Sequence, residues 1–122
     1  MLVHDAARCL LRAAWVDALI DACAGDAVGG LLALPVADTL KAERGGRVHA
    51  TIDRREIWQA QTPQMFRLGL LREALAKAGA QVTDEASAVE ALGLAPRLVR
   101  GQLENFKLTF AADFALAERL LA

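Results

Sequence analysis

The residues with the most chemistry to offer stand near the beginning of the chain. Leu2 and Val3 predict a short buried strand, and Asp5 and Arg8 follow where that strand ends. In open α/β sheets, ligands bind at the carboxyl ends of the strands. A carboxylate oxygen suits Mg²⁺, and a guanidinium pairs with phosphate through two hydrogen bonds. Asp5 and Arg8 at this spacing can therefore hold a metal ion and a phosphate side by side. Taken alone, Asp5 is more often a turn or capping aspartate, and Arg8 more often a surface salt-bridge partner.

Four other positions carry groups suited to binding. Thr62 precedes a proline, which disfavours helix and predicts an extended turn with an available hydroxyl. Thr83 is a predicted helix N-cap, with two acids following it at the positive end of the helix dipole. Lys107 stands alone between apolar residues on a predicted strand; inward-facing lysines are rare, which favours a ligand role. Arg54 belongs to a short basic pair that is either a cationic site or a solvated surface.

Composition excludes several classes of function. The formal net charge of the 122 residues is -1 and no basic stripe appears, which argues against nucleic-acid binding. The longest apolar run, Val28 to Ala37, is too short and too rich in glycine to span a bilayer. No basic region follows Met1, so no secretory signal is visible. We therefore expect one α/β domain at most, without a membrane partner.

The cysteines and histidines predict no separate metal or redox chemistry. Cys9 and Cys23 lack the spacing of a zinc site and fit reduced thiols of a cytoplasmic protein that serve as small apolar filler. His4 and His49 have no matched partners in the sequence, and we interpret both as structural.

The periodicity of apolar residues predicts the elements that must position these groups. A helix from about Leu11 to Ala24 and a buried strand at 31–34 complete a strand–helix–strand unit, which predicts a parallel sheet. Further helices are predicted over 68–78 and 83–92, and strands over 97–100 and 106–108. The last helix, from about Ala111, should bury Phe114, Ala117 and Leu121. Because a strand at Leu2 should lie inside a sheet, we expect the chain to be the later part of a larger domain.

Residues 38–56 show a different pattern. Two polar, β-tolerant runs flank Glu43-Arg44-Gly45-Gly46, which predicts a hairpin. It lacks an apolar face that would pack on the main sheet. A projecting arm that meets a second subunit and a merely solvated hairpin fit this pattern equally well.

Six stretches together resemble one known family. They occur in this order: Val3-His4-Asp5-Ala6-Ala7-Arg8, Leu34-Pro35-Val36-Ala37-Asp38-Thr39, Asp53-Arg54, Gln61-Thr62-Pro63-Gln64, Thr83-Asp84-Glu85-Ala86-Ser87 and Asn105-Phe106-Lys107-Leu108-Thr109. The chain closely resembles the 2-C-methyl-D-erythritol 4-phosphate cytidylyltransferases of the non-mevalonate pathway of isoprenoid biosynthesis. The resemblance covers the chain end to end but only the later half of that family's sequence, without its glycine-rich CTP-binding loop.

The resemblance implies a fold and a reaction. The fold would be part of a Rossmann-like, three-layer nucleotidyltransferase domain, with a mostly parallel sheet and a projecting β-arm at about residues 38–56. The reaction would transfer CMP from CTP to methylerythritol phosphate with Mg²⁺ present and release pyrophosphate, in a cytoplasmic homodimer joined through the arm. Little covalent chemistry is then needed from the protein, because such transfers depend on alignment and on cations that face developing charge.

The resemblance also implies roles for individual residues. Asp5 would bind Mg²⁺, and Arg8 would contact the methylerythritol phosphate. Thr39 and Thr62 would hydrogen-bond this substrate. Two catalytic cations would hold its phosphate: Lys107 from the same chain and Arg54 from the arm of the other subunit. Thr83 and Asp84 would line the site.

Two other interpretations fit the sequence. Ribitol 5-phosphate cytidylyltransferases share much of the pattern, although the Asp5–Arg8 and Thr83–Ser87 motifs favour the methylerythritol substrate. Alternatively, the chain is a non-catalytic dimerisation piece. On either interpretation, we expect these 122 residues alone to lack cytidylyltransferase activity, because the nucleotide loop is missing.

Overall fold

The structure, a computed structural model, describes residues 1–122. The chain forms six strands and four helices. The elements are β1 (Leu2–Val3), α1 (Ala13–Cys23), β2 (Gly29–Pro35), β3 (Leu40–Arg44), β4 (Arg47–Ile52), β5 (Trp58–Phe66), α2 (Leu68–Lys77), α3 (Glu85–Glu90), β6 (Arg97–Arg100) and α4 (Ala111–Leu121). None of the four helices combines the length and the apolar character needed to cross a membrane.

Helices cover both faces of the central sheet. Successive side chains of a strand point to opposite faces, and β2 shows this directly. Leu31 packs with buried residues of α2 and α3, among them Leu71 and Val89. Leu32 packs on the other face with Leu19 and Cys23 of α1. The expected three-layer α/β architecture is therefore confirmed.

The central sheet has the order β1-β5-β2-β6 and is mixed. β1, β2 and β6 run in the same direction, whereas β5 is antiparallel to both of its neighbours. The expectation that β1 is buried inside the sheet is wrong for this chain: β1 pairs only with β5, and Leu2 is 40% exposed. β1 and β2 are connected through α1 as predicted, but β5 lies between them.

β5 is the longest strand, and the sequence predicted only an extended turn in it. Its centre carries a β-bulge against β2: Gln64 pairs with Leu31 and Ala60 pairs with Ala33, which leaves residues 61–63 opposite the single residue Leu32. Pro63 has no backbone N–H to donate and is tolerated in a central strand at such an irregularity. The bulge bends β5 and changes the direction of its side chains beside the end of β1.

Gln64 joins the bulged strand to α3. Its side chain is 1% exposed. The amide nitrogen donates to Gln61 O at 3.2 Å and to Asp84 Oδ2 at 3.0 Å, and Oε1 accepts the backbone N–H of Ala86 at 2.8 Å. Because buried polar groups are costly when unpaired, these three bonds fix the position of α3 against the sheet.

Two expectations about the last part of the chain are wrong. Residues 106–108, predicted as a strand, form an irregular loop after β6. In α4 only Ala117 is buried, while Phe114 and Leu121 are 57% and 65% exposed. The apolar spacing predicted the presence of this helix correctly, but it did not predict which of its residues are buried.

The hairpin of β3 and β4 forms a sheet of its own. The two strands pair antiparallel from Leu40 opposite Ile52 to Arg44 opposite Arg47. Every residue of β4 is exposed. The predicted hairpin is therefore present, and nothing in its own chain covers β4.

We expect Gln64→Met to lower the free energy of unfolding by about 2–4 kcal/mol, because the Ala86 N–H and the Asp84 carboxylate each lose a partner. Urea unfolding followed by circular dichroism measures the change. The control is Gln81→Met, at an exposed position where the side chain makes no hydrogen bond. Equal unfolding midpoints for the two variants would contradict the role assigned to Gln64.

Candidate active site

A polar cleft of about 320 Å³ opens where β1 ends beside the bulge of β5. Its walls are formed by Asp5, Arg8, Ala60, Gln61, Thr62, Gln64, Thr83, Asp84, Glu85 and Lys107. Six of the eight site residues named from the sequence are in this set. Thr39 and Arg54 are not.

The Asp5 carboxylate lies between two cations. Its Oδ2 is 3.6 Å from Arg8 Nε and 3.4 Å from Lys107 Nζ. The Asp5 backbone N–H donates to Thr62 Oγ1 at 2.9 Å, which ties the turn after β1 to the bulge. Asp5, Arg8, Thr62 and Lys107 thus lie close together in the structure.

The side chain of Arg8 is mostly buried in the wall of the cleft. Its side chain is 11% exposed, and Nη1 donates to Asn105 O at 2.7 Å while Nη2 donates to Ala60 O at 3.4 Å. Burial lowers the pKa of the guanidinium, and the charge of Asp5 opposes that shift. Arg8 stays charged, because an arginine is not deprotonated in proteins. The geometry therefore makes Arg8 a link between the walls of the cleft.

Lys107 is presented by the loop that follows β6. This loop is held to the segment after β1 by the Arg8 bond to Asn105 and by Leu108 N donating to Ala7 O at 2.9 Å. The Lys107 side chain is 52% exposed. The prediction that it faces inward from a strand is wrong, yet its ammonium group does reach the cleft.

Thr83 and Asp84 enter the cleft at the start of α3. The N-cap is Asp84 and not Thr83: Asp84 Oδ1 accepts Ser87 N at 2.8 Å, and Ser87 Oγ accepts Asp84 N at 3.1 Å. The Asp84 carboxylate is thus occupied by Ser87 and Gln64. The hydroxyl of Thr83 makes no protein hydrogen bond and remains available to a ligand.

Reasoning from the sequence missed the buried amides that support the cleft. Asn105 is fully buried, and its Nδ2 donates to Thr62 O at 2.8 Å and to Gln61 Oε1 at 3.3 Å. Gln61 in turn donates to Gln102 O at 3.0 Å. A usable signal was present: glutamines surround Thr62 in a segment that ends at a buried aromatic residue, Phe66.

Thr39 and Arg54 lie at the base of the hairpin. Arg54 Nη1 donates to Val36 O at 3.0 Å. Thr39 and Arg54 are both exposed. Neither lines the cleft of its own chain.

The charge of the cleft bears on what it can bind. Three carboxylates (Asp5, Asp84, Glu85) face two cations (Arg8, Lys107) in its lining. No group of three or more His, Cys, Asp or Glu side chains forms a metal cage in the structure. Asp5 keeps one carboxylate oxygen free of ion pairs, since both of its pairs use Oδ2. A carboxylate with a free oxygen, in a cleft whose lining carries one more negative than positive charge, fits Mg²⁺. This ion typically uses one or two carboxylates together with substrate phosphates and water.

Comparison with known proteins identifies the class first. The structure matches the crystal structure of a 4-diphosphocytidyl-2C-methyl-D-erythritol synthase with a TM-score of 0.93 at 51% identity, over 99% of this chain and 55% of that one. A 2-C-methyl-D-erythritol 4-phosphate cytidylyltransferase from Thermus thermophilus matches with a TM-score of 0.91 at 39% identity, over 98% of this chain and 60% of that one. The fold is therefore that of a nucleotidyltransferase.

Sequence comparison identifies the family. The family model described as IspD, 2-C-methyl-D-erythritol 4-phosphate cytidylyltransferase, matches residues 1–122. The Bordetella pertussis protein of that name is 66% identical over 99% of this chain and 54% of its own length. A bifunctional IspD/IspF enzyme of Albidiferax ferrireducens is 63% identical over 99% of this chain and 29% of its own length. The chain belongs to the 2-C-methyl-D-erythritol 4-phosphate cytidylyltransferase family, and it spans about half the length of the monofunctional relatives it matches.

The two cations of the cleft should differ in their effect on stability. We expect Arg8→Met to lower the free energy of unfolding by about 2–4 kcal/mol, because the backbone carbonyls of Asn105 and Ala60 lose a charged donor. Lys107→Met should cost no more than about 1 kcal/mol, as for other exposed ion pairs. Urea unfolding of both variants measures the difference. Equal losses would contradict the structural role of Arg8.

Proposed function

We propose that this chain is part of an enzyme that transfers CMP from CTP to 2-C-methyl-D-erythritol 4-phosphate and releases pyrophosphate, in isoprenoid precursor biosynthesis. The observation that carries the proposal is the convergence of Asp5, Thr62, Thr83, Asp84 and Lys107 on one cleft, in a chain that belongs to this family. The two unpaired cysteines favour a reducing compartment such as the cytoplasm.

In this reaction the phosphate of the polyol attacks the α-phosphorus of CTP, so the protein must align two anions. Lys107 is the cation of the cleft that can turn to a ligand, because it is half-exposed and held only by an ion pair with Asp5. The hydroxyls of Thr62 and Thr83 are available to the polyol. Arg8 contributes indirectly by holding the Lys107 loop against the turn that carries Asp5.

Asp5 is the residue we propose for Mg²⁺, with the remaining ligands supplied by phosphate and water. When bound there, Mg²⁺ would offset the negative charge that the two phosphates bring into the cleft. Lys107 pairs with Oδ2 of the same carboxylate, so a cation at the other oxygen would weaken that ion pair.

We propose further that residues 1–122 form the C-terminal part of a single nucleotidyltransferase domain, with a dimerisation arm at about 38–56. The length of the relatives and the one-sided pairing of β1 support the first point. The second rests on β4, all of which is exposed, and on Arg54, which lies outside the cleft of its own chain. Arg54 would then reach the substrate phosphate in the partner's cleft, with Thr39 beside it.

The activity can be tested with and without a nucleotide-binding segment. With CTP, Mg²⁺ and methylerythritol phosphate, we expect no pyrophosphate release from the 122 residues alone. We expect release when the N-terminal half of the Bordetella pertussis relative precedes them. A chimera that turns over ribitol 5-phosphate alone would contradict the substrate, and a folded chimera that turns over neither polyol phosphate would favour a non-catalytic role.

The arm can be tested in the same chimera with mixed dimers. Arg54→Ala and Lys107→Ala subunits are each expected to be inactive as homodimers. If Arg54 acts across the interface, a mixed dimer contains one complete cleft, assembled from Lys107 of one subunit and Arg54 of the other, and regains about half of the activity per dimer. No recovery in verified mixed dimers would mean that Arg54 serves its own subunit.

A further inference from the structure

His4 connects the two segments that meet at the cleft. Its imidazole Nδ1 is 2.9 Å from Thr62 Oγ1, and its Nε2 is 3.0 Å from the carbonyl oxygen of Arg8. The sequence offered no partner for His4, because Thr62 is 58 residues away along the chain. In the structure the ring closes the turn from β1 to Arg8 and at the same time contacts a hydroxyl of the site.

The partners of the ring determine where its proton lies. A carbonyl oxygen only accepts hydrogen bonds, so the Nε2 that contacts Arg8 O carries the hydrogen. In the neutral imidazole Nδ1 is then an acceptor, and the Thr62 hydroxyl must donate its single hydrogen to it. The same hydroxyl oxygen already accepts the Asp5 N–H at 2.9 Å.

The Thr62 hydroxyl consequently has one free lone pair and no free hydrogen. It can accept a hydrogen bond from a ligand but cannot donate one. A phosphate group near neutral pH offers mainly acceptor oxygens, whereas a polyol hydroxyl can donate. The Lys107 ammonium group, which only donates, is the complementary partner for phosphate in this cleft.

We propose that His4 is a positioning residue that turns the Thr62 hydroxyl into an acceptor, so that Thr62 binds a hydroxyl group of the polyol and not its phosphate. This inference rests on the proposed function, because it assigns one contact of the same substrate. It adds His4 to the residues that determine specificity, although its side chain need not touch the substrate.

The proton position can be measured without substrate. Two-dimensional NMR of the ¹⁵N-labelled chain distinguishes a protonated Nε2 from a protonated Nδ1. The chain has only one other histidine, His49, and a His49→Gln variant assigns the signals. We expect the Nε2-protonated form for His4. Protonation at Nδ1 would overturn the inference.

Two substitutions separate positioning from a merely structural link. Asn at position 4 keeps an acceptor near Nδ1, whereas Gln keeps a donor near Nε2. In the chimera with the N-terminal half of the Bordetella pertussis relative, we expect His4→Asn to bind methylerythritol phosphate as tightly as the unsubstituted chimera. We expect His4→Gln to bind it about three- to tenfold more weakly, the usual effect of one hydrogen bond. NMR titration measures both affinities. If the ring only linked β1 to Arg8, His4→Gln would bind more tightly than His4→Asn. That result would overturn the inference.

Separate probes identify the part of the substrate that is affected. We expect His4→Gln to weaken binding of unphosphorylated 2-C-methyl-D-erythritol and to leave binding of inorganic phosphate unchanged. A loss confined to phosphate would overturn the inference while leaving the proposed function intact. If the chimera with the N-terminal half of the Bordetella pertussis relative bound neither the polyol nor the polyol phosphate, the proposed function would fail, and with it the ligand assigned to Thr62, whatever the imidazole signals show.

Discussion

The irregular centre of β5 determines where the cleft forms and which segments form its walls. A bulge there places Gln61, Thr62 and Gln64 in the interior, 6%, 6% and 1% exposed, in the strand that pairs on both sides. Buried polar groups must find partners, because an unpaired one costs about 1–3 kcal/mol. Each of the three takes its partners from a different segment: the loop after β6, the turn after β1, and α3. The cleft lies where these segments meet.

In this arrangement, the side chains that hold the walls of the cleft together are different from those that can contact a ligand. Arg8 Nη1, Asn105 Nδ2 and Gln64 Nε2 donate to backbone carbonyls or neighbouring side chains, and these bonds link the walls of the cleft. The groups left for a ligand include the Thr83 hydroxyl, the Lys107 ammonium and one oxygen of Asp5. Alignment is the main requirement in nucleotidyl transfer, so a site that holds a few free groups on a buried polar frame suits that chemistry. Even the glycine at position 101 serves the frame, since a Cβ there would lie 2.3 Å from the side-chain oxygen of Gln61.

The sequence predicted the elements whose residues follow a simple apolar period. α1, α2, β6 and the hairpin lie within a few residues of their expected bounds, because local spacing alone defines them. β5 was missed because its centre is polar and contains a proline, and only contacts distant in sequence make it a strand. Lys107 was selected for a reason that proved wrong, an inward-facing strand position, and still lies at the cleft. The hydrogen bonds of Arg8 could not be predicted from the sequence, because the carbonyls that it contacts, those of Asn105 and Ala60, are 97 and 52 residues away along the chain.

The hairpin differs from β5, because it has almost no partners in its own chain. Two-stranded hairpins are marginally stable alone in water and usually need a third strand or a packed face. β3 and β4 pair only with each other, and apolar residues such as Val48 and Ile52 are 65% and 44% exposed. Because β3 and β4 pair with no other strand, a surface that stabilises the arm further lies outside these 122 residues. That physical requirement, together with the position of Arg54 at the base of the arm and outside its own cleft, is the reason for proposing that the arm packs on a second subunit.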